Sequence, residues 1–365
     1  MSMDVETLEL ETRSTELLQY LDPQGKCQPS FKHNLSRERL VDMYLLMVLT
    51  RMWNDKALNL QRQGRMGTLP SLKGQEATSA GIAYALEPED WFVPAFREAG
   101  TLFHLGIPMR DQYLFWGGDE RGARIPDGLK VTNISIIVGG HLPHAVGIAY
   151  AAKYRNEKSA VVCVMGDGAT SEGDFHESLN LASVWQVPVV FVIQNNGWAI
   201  STPLHRQTAT ATLAEKSCAY GMDGVRVDGN DVLAIYDTIK TYTDRAREEH
   251  KPALIELVTY RMDDHTTADD SSRYRTEEEV EAWRKKDPID RVRNYLQNEF
   301  SWTKTEEEEV VQTCTARVET AVNEYETFGK ADPRHMFKHM YAELPWHLQE
   351  QLREVQEVYN LPEDE

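Results

Sequence analysis

The sequence predicts an α/β fold built on a doubly wound parallel sheet, with helical extensions at its N- and C-terminal ends. Two short apolar runs rich in β-branched residues, at 161–165 and 187–193, are typical of strands buried on both faces of a parallel sheet. Between them, Phe175, Leu179 and Ala182 recur at helical spacing, which predicts a helix with one buried face. A strand, a helix and a second strand form a crossover that is almost always right-handed, so both strands end at the same edge of the sheet.

The other predicted elements continue this alternation along the chain. Ser36 is a candidate N-cap for a long apolar helix, and a helix rich in small residues begins at about Gly74. Apolar runs predict a buried strand at 134–138 and further strands at 221–229 and 252–260, with helices at 141–153, from about 212, and at 232–250. Residues 262–276 lack apolar periodicity, which predicts a polar loop of a length that is usually functional or mobile.

These elements divide the chain into three parts. Residues 1–34 contain several turn-forming proline and glycine residues and predict an N-terminal arm that rests on another subunit or stays mobile. Residues 35–275 are expected to form one α/β domain, because no repeat or low-complexity linker interrupts them. Residues 276–365 are strongly charged and amphipathic, which predicts a helical C-terminal extension.

The composition argues against several classes of protein. The 365 residues carry a formal net charge of -19 with a pI near 5.1, so neither nucleic acid nor an anionic membrane is expected as the main partner. The four cysteines are far apart in the sequence, which indicates neither a disulfide framework nor a zinc site. The acidic N-terminal stretch has neither the apolar core nor the arginine-rich character of a targeting segment, and no apolar run is long enough to span a bilayer. We therefore expect a cytoplasmic protein.

Polar residues follow two of the predicted strands at the same edge of the sheet. A Gly-Asp-Gly turn places Asp167 after the first strand, and Asn196 follows the second. In open α/β sheets this edge binds ligands, and Mg²⁺ usually takes one or two protein oxygens and completes its shell with phosphate oxygens and water. The pattern predicts a diphosphate held with Mg²⁺, with the N–H groups of Gly168 and Ala169, at the start of the following helix, directed at the anion.

Other phosphate-binding motifs fit this turn less well. A P-loop requires a Gly-Lys-Ser/Thr ending, which the turn does not have, and the dinucleotide fingerprint requires glycine or alanine where Ser171 stands. A Gly-Asp-Gly turn or an Asn-Asn pair alone is ordinarily only a loop. Joined by a strand, a helix and a strand of this length, the two motifs indicate a binding site.

Taken together, these motifs resemble those of a known family. GDGATSEGDFHESLN and QNNGWAISTP are similar to the thiamine diphosphate signature in the α subunits of 2-oxo acid dehydrogenase E1 components. The resemblance begins at about Gly64, continues through GQEATSAGIAYALEPEDW, PAFREAG, GGHLPHAVGIAYA and DDHTTADDSSRYRT, and reaches MFKHMYAELPWHLQEQ. It covers most of the chain and implies the diphosphate-binding module of the thiamine diphosphate-binding fold.

The resemblance also implies roles for individual residues. Mg²⁺ is expected to be held by Asp167, Asn196 and the backbone carbonyl of Trp198, which stands where the family commonly has tyrosine. Backbone groups around Ile136 and Val138 are expected to face the aminopyrimidine ring. Arg97 and Arg261 are expected to neutralise the diphosphate. His265, the candidate catalytic residue, is expected to lie near the diphosphate and the lipoyl entrance. The implied cofactor-binding residues are Phe96, Arg97, Ile136, Val138, Asp167, Gly168, Ala169, Asn196, Arg261 and His265.

The activity implied is oxidative decarboxylation of a 2-oxo acid, with pyruvate expected first, and reductive acylation of lipoyl groups on an E2 acyltransferase. Leu69, Pro70 and Ser71 stand where some pyruvate-specific relatives have a histidine, so a branched-chain 2-oxo acid (2-oxoisovalerate) or acetoin dehydrogenase α subunit is an alternative. A non-enzymatic doubly wound nucleotide-binding protein is the rival from another class. The glutamate that activates the cofactor is expected from a β subunit in an α2β2 assembly, because no length remains for a second module.

Overall fold

A computed structural model describes residues 16–31 and 33–361, and its centre is a six-stranded sheet in which every paired strand runs parallel. The strands lie in the order β1-β7-β8-β4-β3-β2, and a separate antiparallel pair is formed by β5 and β6. The bounds are β1 Leu17–Leu18, β2 Trp91–Val93, β3 Val161–Gly166, β4 Val189–Asn195, β5 Trp198–Ala199, β6 Thr202–Pro203, β7 Asp223–Asp228 and β8 Ala253–Val258.

The two central strands contribute to a separate hydrophobic core on each face of the sheet. Strands β3 and β4 pair in register from Val161 opposite Val189 to Gly166 opposite Gln194. Alternate residues point to opposite faces, so Val162 and Val164 enter one core while Val161, Cys163 and Met165 enter the other. Both strands are buried along their apolar length, which confirms the prediction of a parallel sheet covered on two sides.

Helices cover both faces of this sheet, as the predicted doubly wound architecture requires. Helices α1, α2 and α7 contribute to the first core and helices α5 and α6 to the second. The bounds are α1 Arg37–Arg62, α2 Glu76–Ala85, α3 Ala99–Leu105, α4 Met109–Trp116, α5 Leu142–Tyr154, α6 Gly173–Trp185, α7 Val232–Glu249, α8 Glu277–Arg284, α9 Pro288–Phe300, α10 Lys304–Thr327, α11 His335–Lys338 and α12 Trp346–Tyr359. Among the described residues, no helix is both long and apolar enough to cross a membrane.

Side-chain caps fix where several of these helices begin. Ser36 accepts a hydrogen bond from the Arg39 N–H at 3.2 Å, which confirms the predicted start of α1. Thr303 and Glu306 form a reciprocal capping box at the start of α10. The predicted helical C-terminal extension is thus present as α8 to α12, up to the last described residue.

The strand predicted at 134–138 is wrong. Residues 131–135 follow the edge strand β2 irregularly, with the Thr132 N–H bonded to the Phe92 carbonyl at 3.1 Å, and the chain then turns with its side chains outward. Ile136, Ile137 and Val138 are 54%, 77% and 44% exposed. A short apolar run indicates side chains that favour burial, but its periodicity does not show whether the same chain or another chain buries them.

The predicted arm also differs from the structure, in the part that is described. Residues 1–15 and 32 lie outside the described residues, but Leu17–Leu18 forms β1 beside β7, with Leu17 opposite Arg226. Leu21 is fully buried, and its N–H donates to Asp231 at 2.6 Å. From residue 16 onward, the described part of the arm therefore packs on its own sheet. The helix predicted from about 212 is a 3₁₀ helix, Ala214–Tyr220.

Candidate active site

Asp167 lies directly after β3, and its carboxylate is buried at the carboxyl edge of the sheet. The residue is 1% exposed, and Gln207 Nε2 donates to its Oδ2 at 3.0 Å. Burial raises the pKa of the Asp167 carboxyl, while hydrogen bonds from Gln207 and from the backbone N–H of Asn196 act in the opposite direction. The two strand ends therefore bring Asp167 and Asn196 together, as their positions in the sequence predict.

The Asn196 side chain is held in a tight turn after β4. Its Oδ1 accepts a hydrogen bond from the Trp198 N–H at 3.2 Å, and its Nδ2 donates to Gln75 Oε1 at 3.4 Å. The indole of Trp198 is directed elsewhere, because its Nε1 donates to Glu279 at 2.9 Å. The backbone of Trp198 thus stays beside Asn196 while the side chain anchors the turn to α8.

The sequence predicts that the segment after Asp167 is the first turn of the following α-helix, but the structure differs. Residues Asp167–Ser171 form a 3₁₀ helix, and α6 begins only at Gly173. A Cβ atom on Gly168 would lie 3.0 Å from the Cβ of Ala199, so glycine lets the two strand-end turns approach each other. The N–H groups of Gly168 and Ala169 therefore belong to the 3₁₀ turn that carries Asp167.

Arg97 is buried between the segment before α2 and the loop after β8. It is 7% exposed, and its Nη1 donates to the carbonyl of Ser71. Its Nη2 lies 3.0 Å from Nδ1 of His265 and 3.4 Å from the His265 carbonyl oxygen. Because a guanidinium only donates, Nδ1 accepts, and a neutral His265 ring carries its proton on Nε2. The Arg97 guanidinium carbon also lies 5.4 Å from the ring centre of Phe96.

Arg261 follows β8 and is completely buried. Its Nη2 donates to the Ile200 carbonyl at 2.9 Å and to the Tyr274 hydroxyl at 3.3 Å, and its Nη1 is 3.7 Å from the Asp269 carboxylate. Its Nε and Nη1 are buried and, within the part of the chain that is described, have no hydrogen-bond partner. A buried guanidinium with two unsatisfied donors is expensive unless an acceptor completes it.

The two arginines and His265 form one region of concentrated positive potential. Burial and then the charge of Arg261 lower the pKa of Arg97 to about 9. Burial, followed by the charges of Arg97 and Arg261, lowers the pKa of His265 to about 4, which keeps its imidazole neutral at physiological pH. Two buried cations that depress the pKa of neighbouring groups lack sufficient negative charge nearby, so the region is suited to an anion.

Ile136 and Val138 are predicted site residues that lie outside the polar cluster formed by Arg97, Arg261 and His265. They sit on the exposed turn after residue 135, where the Ser135 N–H bonds to the Ala95 carbonyl at 3.0 Å. A Cβ atom on Gly139, in the same turn, would lie 3.2 Å from the Cβ of Glu172, so the turn approaches the start of α6. The turn thus borders the polar cluster but presents apolar side chains outward.

Sequence reasoning missed two polar residues beside the cluster, Glu98 and Gln207. Glu98 is 2% exposed and accepts hydrogen bonds at 3.0 Å from the Arg97 N–H and from Gln194 Nε2. Burial raises the pKa of Glu98 to about 7. Adjacency to Arg97 was an available signal for Glu98. For Gln207, which reaches Asp167 from a loop 40 residues further along the chain, no sequence signal was available.

Two open clefts flank the loop that carries His265. One, of about 1060 Å³, is lined by Asn196, Trp198 and Tyr274 among others, and the second, of about 740 Å³, by Ser71 and Thr266 among others. Within residues 16–31 and 33–361, no group of three His, Cys, Asp or Glu side chains is arranged to hold a metal ion. A cation at Asp167 would therefore need amide, carbonyl or ligand oxygens as well.

Comparison with known proteins assigns this arrangement to a family. The sequence model described as "Dehydrogenase E1 component" matches residues 44–334. The pyruvate dehydrogenase E1 component subunit alpha of Acholeplasma laidlawii is 42% identical over 336 residues, which covers 91% of this chain and 97% of that protein. The protein of the same description from Staphylococcus aureus strain Mu50 is 39% identical over 338 residues, covering 92% and 91%. That from Staphylococcus epidermidis is 38% identical over 344 residues, covering 93% of each.

Proposed function

The chain belongs to the dehydrogenase E1 component family, and we propose that it is the α subunit of a pyruvate dehydrogenase E1 component. In this role it would take part in the oxidative decarboxylation of pyruvate and the transfer of the resulting acetyl group to a lipoyl group, which is reduced. The observation that carries the proposal is the pair of buried arginines, Arg97 and Arg261, beside Asp167 and Asn196 at one edge of a parallel sheet.

The residues present fit thiamine diphosphate bound with Mg²⁺. Asp167, Asn196 and the backbone carbonyl of Trp198 would supply protein oxygens to the cation, and diphosphate oxygens and water would complete its octahedron. The unpartnered Nε and Nη1 of Arg261 support the assignment of the anion, because phosphate oxygens would satisfy both donors. When bound, thiamine diphosphate supplies a nucleophilic carbon and an electron sink for decarboxylation.

The chain's own residues would bind this group and control one proton. Arg97 and Arg261 neutralise phosphate charge inside a buried region, where each charge-assisted hydrogen bond is stronger than in water. Arg97 also occupies Nδ1 of His265, which leaves the Nε2 proton as the donor of a neutral ring. His265 is therefore suited to donate a hydrogen bond from Nε2 to an oxygen at the mouth of the site, close to where a lipoyl group would arrive.

A second chain would complete the active site. The described residues contain one six-stranded sheet with its ligand edge, and the activating glutamate is expected on a separate β subunit in an α2β2 heterotetramer. The exposed apolar turn at 136–138 supports such a contact. Helix α12 also supports it, because its residues Trp346 and Val358 are each 75% exposed and it packs extensively on no other helix or strand among the described residues. A lipoylated E2 acyltransferase would be the further partner. The protein would act in the cytoplasm.

The decisive experiment measures pyruvate decarboxylation with an artificial electron acceptor. The purified chain alone should show no turnover, and adding the cognate β chain with Mg²⁺ and thiamine diphosphate should restore it. Turnover of 2-oxoisovalerate instead of pyruvate would correct the substrate. Substantial activity from a homogeneous α-only sample would overturn the two-chain site, and a complex that binds a nucleotide but not thiamine diphosphate would overturn the enzyme assignment.

A further inference from the structure

Gln207 connects the carboxylate of Asp167 to the loop that follows β6. Its Nε2 donates to Asp167 Oδ2 at 3.0 Å and lies 3.4 Å from the Thr202 carbonyl. Its Oε1 accepts from the Ser171 hydroxyl at 3.4 Å, at the end of the 3₁₀ helix that begins with Asp167. One amide side chain thus contacts both ends of the turn that presents this carboxylate.

The loop that carries Gln207 is also attached to the second strand end. The Leu204 N–H bonds to the Gly197 carbonyl at 3.1 Å, next to Asn196, and the Gln207 N–H bonds to the Leu204 carbonyl at 2.9 Å. The position of the Gln207 amide is therefore set by the same turn that carries Asn196. The same short loop therefore contacts both strand ends.

The Gln207 side chain bonds to one oxygen of the Asp167 carboxylate, Oδ2, and the backbone N–H of Asn196 also bonds to this carboxylate. Asp167 is nearly fully buried, so water has little access to its carboxylate and protein groups must supply its hydrogen bonds. A donor fixed on Oδ2 restrains rotation of the carboxylate and so limits the directions from which it can coordinate a cation. Groups that hydrogen-bond to metal-binding carboxylates orient them in this way, and their loss typically weakens metal affinity about 10–100-fold.

We propose that Gln207 is a positioning residue that orients Asp167 for Mg²⁺, an inference that rests on the function proposed above. Mg²⁺ demands near-ideal octahedral geometry, whereas Ca²⁺ tolerates irregular arrangements of oxygen ligands. A residue that sets the direction of one ligand oxygen must therefore matter more for Mg²⁺ than for Ca²⁺. A residue that only stabilises the loop would affect both ions alike.

The test uses the assembled α and β chains and measures thiamine diphosphate binding by calorimetry, at fixed thiamine diphosphate, as a function of added Mg²⁺ or Ca²⁺. Gln207→Leu removes the donor at similar size and should raise the half-saturating Mg²⁺ concentration roughly 10–100-fold, with a clearly smaller change for Ca²⁺. Gln207→Asn keeps the amide but shortens its reach and should show the same ion preference. The matched control is Thr210→Ala, whose hydroxyl meets Thr208 at 2.9 Å in the same loop, and it should behave like the wild type.

The outcomes separate this inference from the proposed function. If the wild-type complex binds no thiamine diphosphate, or binds it without any divalent cation, the proposed function or its metal fails first and this inference with it. If the wild type requires Mg²⁺ and both Gln207 variants match it, Gln207 does not position Asp167. Equal losses for Mg²⁺ and Ca²⁺, or the same loss in Thr210→Ala, would overturn positioning in favour of general loop stability.

Discussion

Replacing Arg97 by methionine tests whether this arginine is present for a ligand or for the fold. Lowering its pKa from the ordinary 12.5 to about 9 corresponds to roughly 5 kcal/mol that the folded protein spends on keeping the group charged. Arg97→Met removes this cost, but it also loses hydrogen bonds to the Ser71 and His265 carbonyls and to Nδ1 of His265, each worth about 1.5–2 kcal/mol at the lower end of the range for a charged donor. Because the two effects nearly cancel, we expect the free energy of unfolding of the unliganded variant to lie within about 2 kcal/mol of the wild-type value. This is a small change for the substitution of a buried residue.

Arg291 provides the comparison, because it is also buried but forms an ion pair with a carboxylate. Its Nη1 donates to Asp228 at 2.8 Å and to the Leu21 carbonyl at 3.1 Å. Arg291→Met leaves Asp228 without its cation and should lower the free energy of unfolding by about 3–5 kcal/mol. The same substitution therefore separates an arginine that stabilises the fold from one that waits for an anion.

The assay is urea unfolding of the purified protein at one fixed concentration, with and without Mg²⁺ and thiamine diphosphate. A ligand at 100 times its dissociation constant stabilises the wild type by about 2.7 kcal/mol, and Arg97→Met should gain almost none of this. Arg291→Met, if it remains folded, should keep the ligand-dependent gain. The reasoning is refuted if Arg97→Met destabilises the unliganded protein as much as Arg291→Met does, or if it retains the full gain.

Three further predictions concern the same site. Asp167→Ala should abolish Mg²⁺-dependent thiamine diphosphate binding while circular dichroism stays close to wild type, and unchanged calorimetric affinity would contradict the metal assignment. The loop at 262–276 is expected to become ordered over the bound cofactor, so it should resist trypsin at Arg273 when saturating thiamine diphosphate is present. Equal cleavage rates with and without the cofactor would rule out this ordering of the loop. For the same reason, His265→Ala should reduce turnover with a lipoyl acceptor more than it reduces cofactor affinity. Because the pKa of Glu98 is raised from 4.5 to about 7 in the folded state, its contribution to stability is fully present below pH 4.5 and is lost as the pH rises through 7. Glu98→Gln should therefore reduce the fall in unfolding free energy between pH 5 and pH 8 by up to roughly 3 kcal/mol, and an unchanged slope in urea titrations would contradict it.

Local patterns allowed the sequence to predict the centre of the sheet and the two strand-end motifs. An apolar β-branched run, a Gly-Asp-Gly turn and a helical repeat lie within a few residues of each other, so the placement of Asp167 and Asn196 follows from one strand–helix–strand unit. The juxtaposition of Arg97 with His265 could not be obtained in this way, because 168 residues separate them and only the family resemblance linked them.

The failures have physical causes of a different kind. The run at 134–138 is apolar enough for a buried strand, but Ile136, Ile137 and Val138 are exposed in a turn, and an apolar run does not show whether its own chain buries it. Gln207 is an ordinary loop residue until the chain folds its amide onto Asp167. The two-residue strand β1 is too short to give any alternating pattern, and only the free edge of β7 makes it a strand.

The position of β1 determines the order in which this sheet can be completed during synthesis. Gln19 hydrogen-bonds to Asp228, which the ribosome adds 209 residues later, so the first described strand cannot pair until most of the domain exists. At about 5–20 residues per second, the N-terminal segment waits roughly 10–40 s for its neighbour. During that interval β1 has no partner strand, because β7 has not yet been made, and the backbone groups of β1 are open to pairing with another nascent chain. Closing the sheet is therefore a late step, and variants that weaken the Gln19–Asp228 contact should aggregate during expression more than their equilibrium stability would suggest.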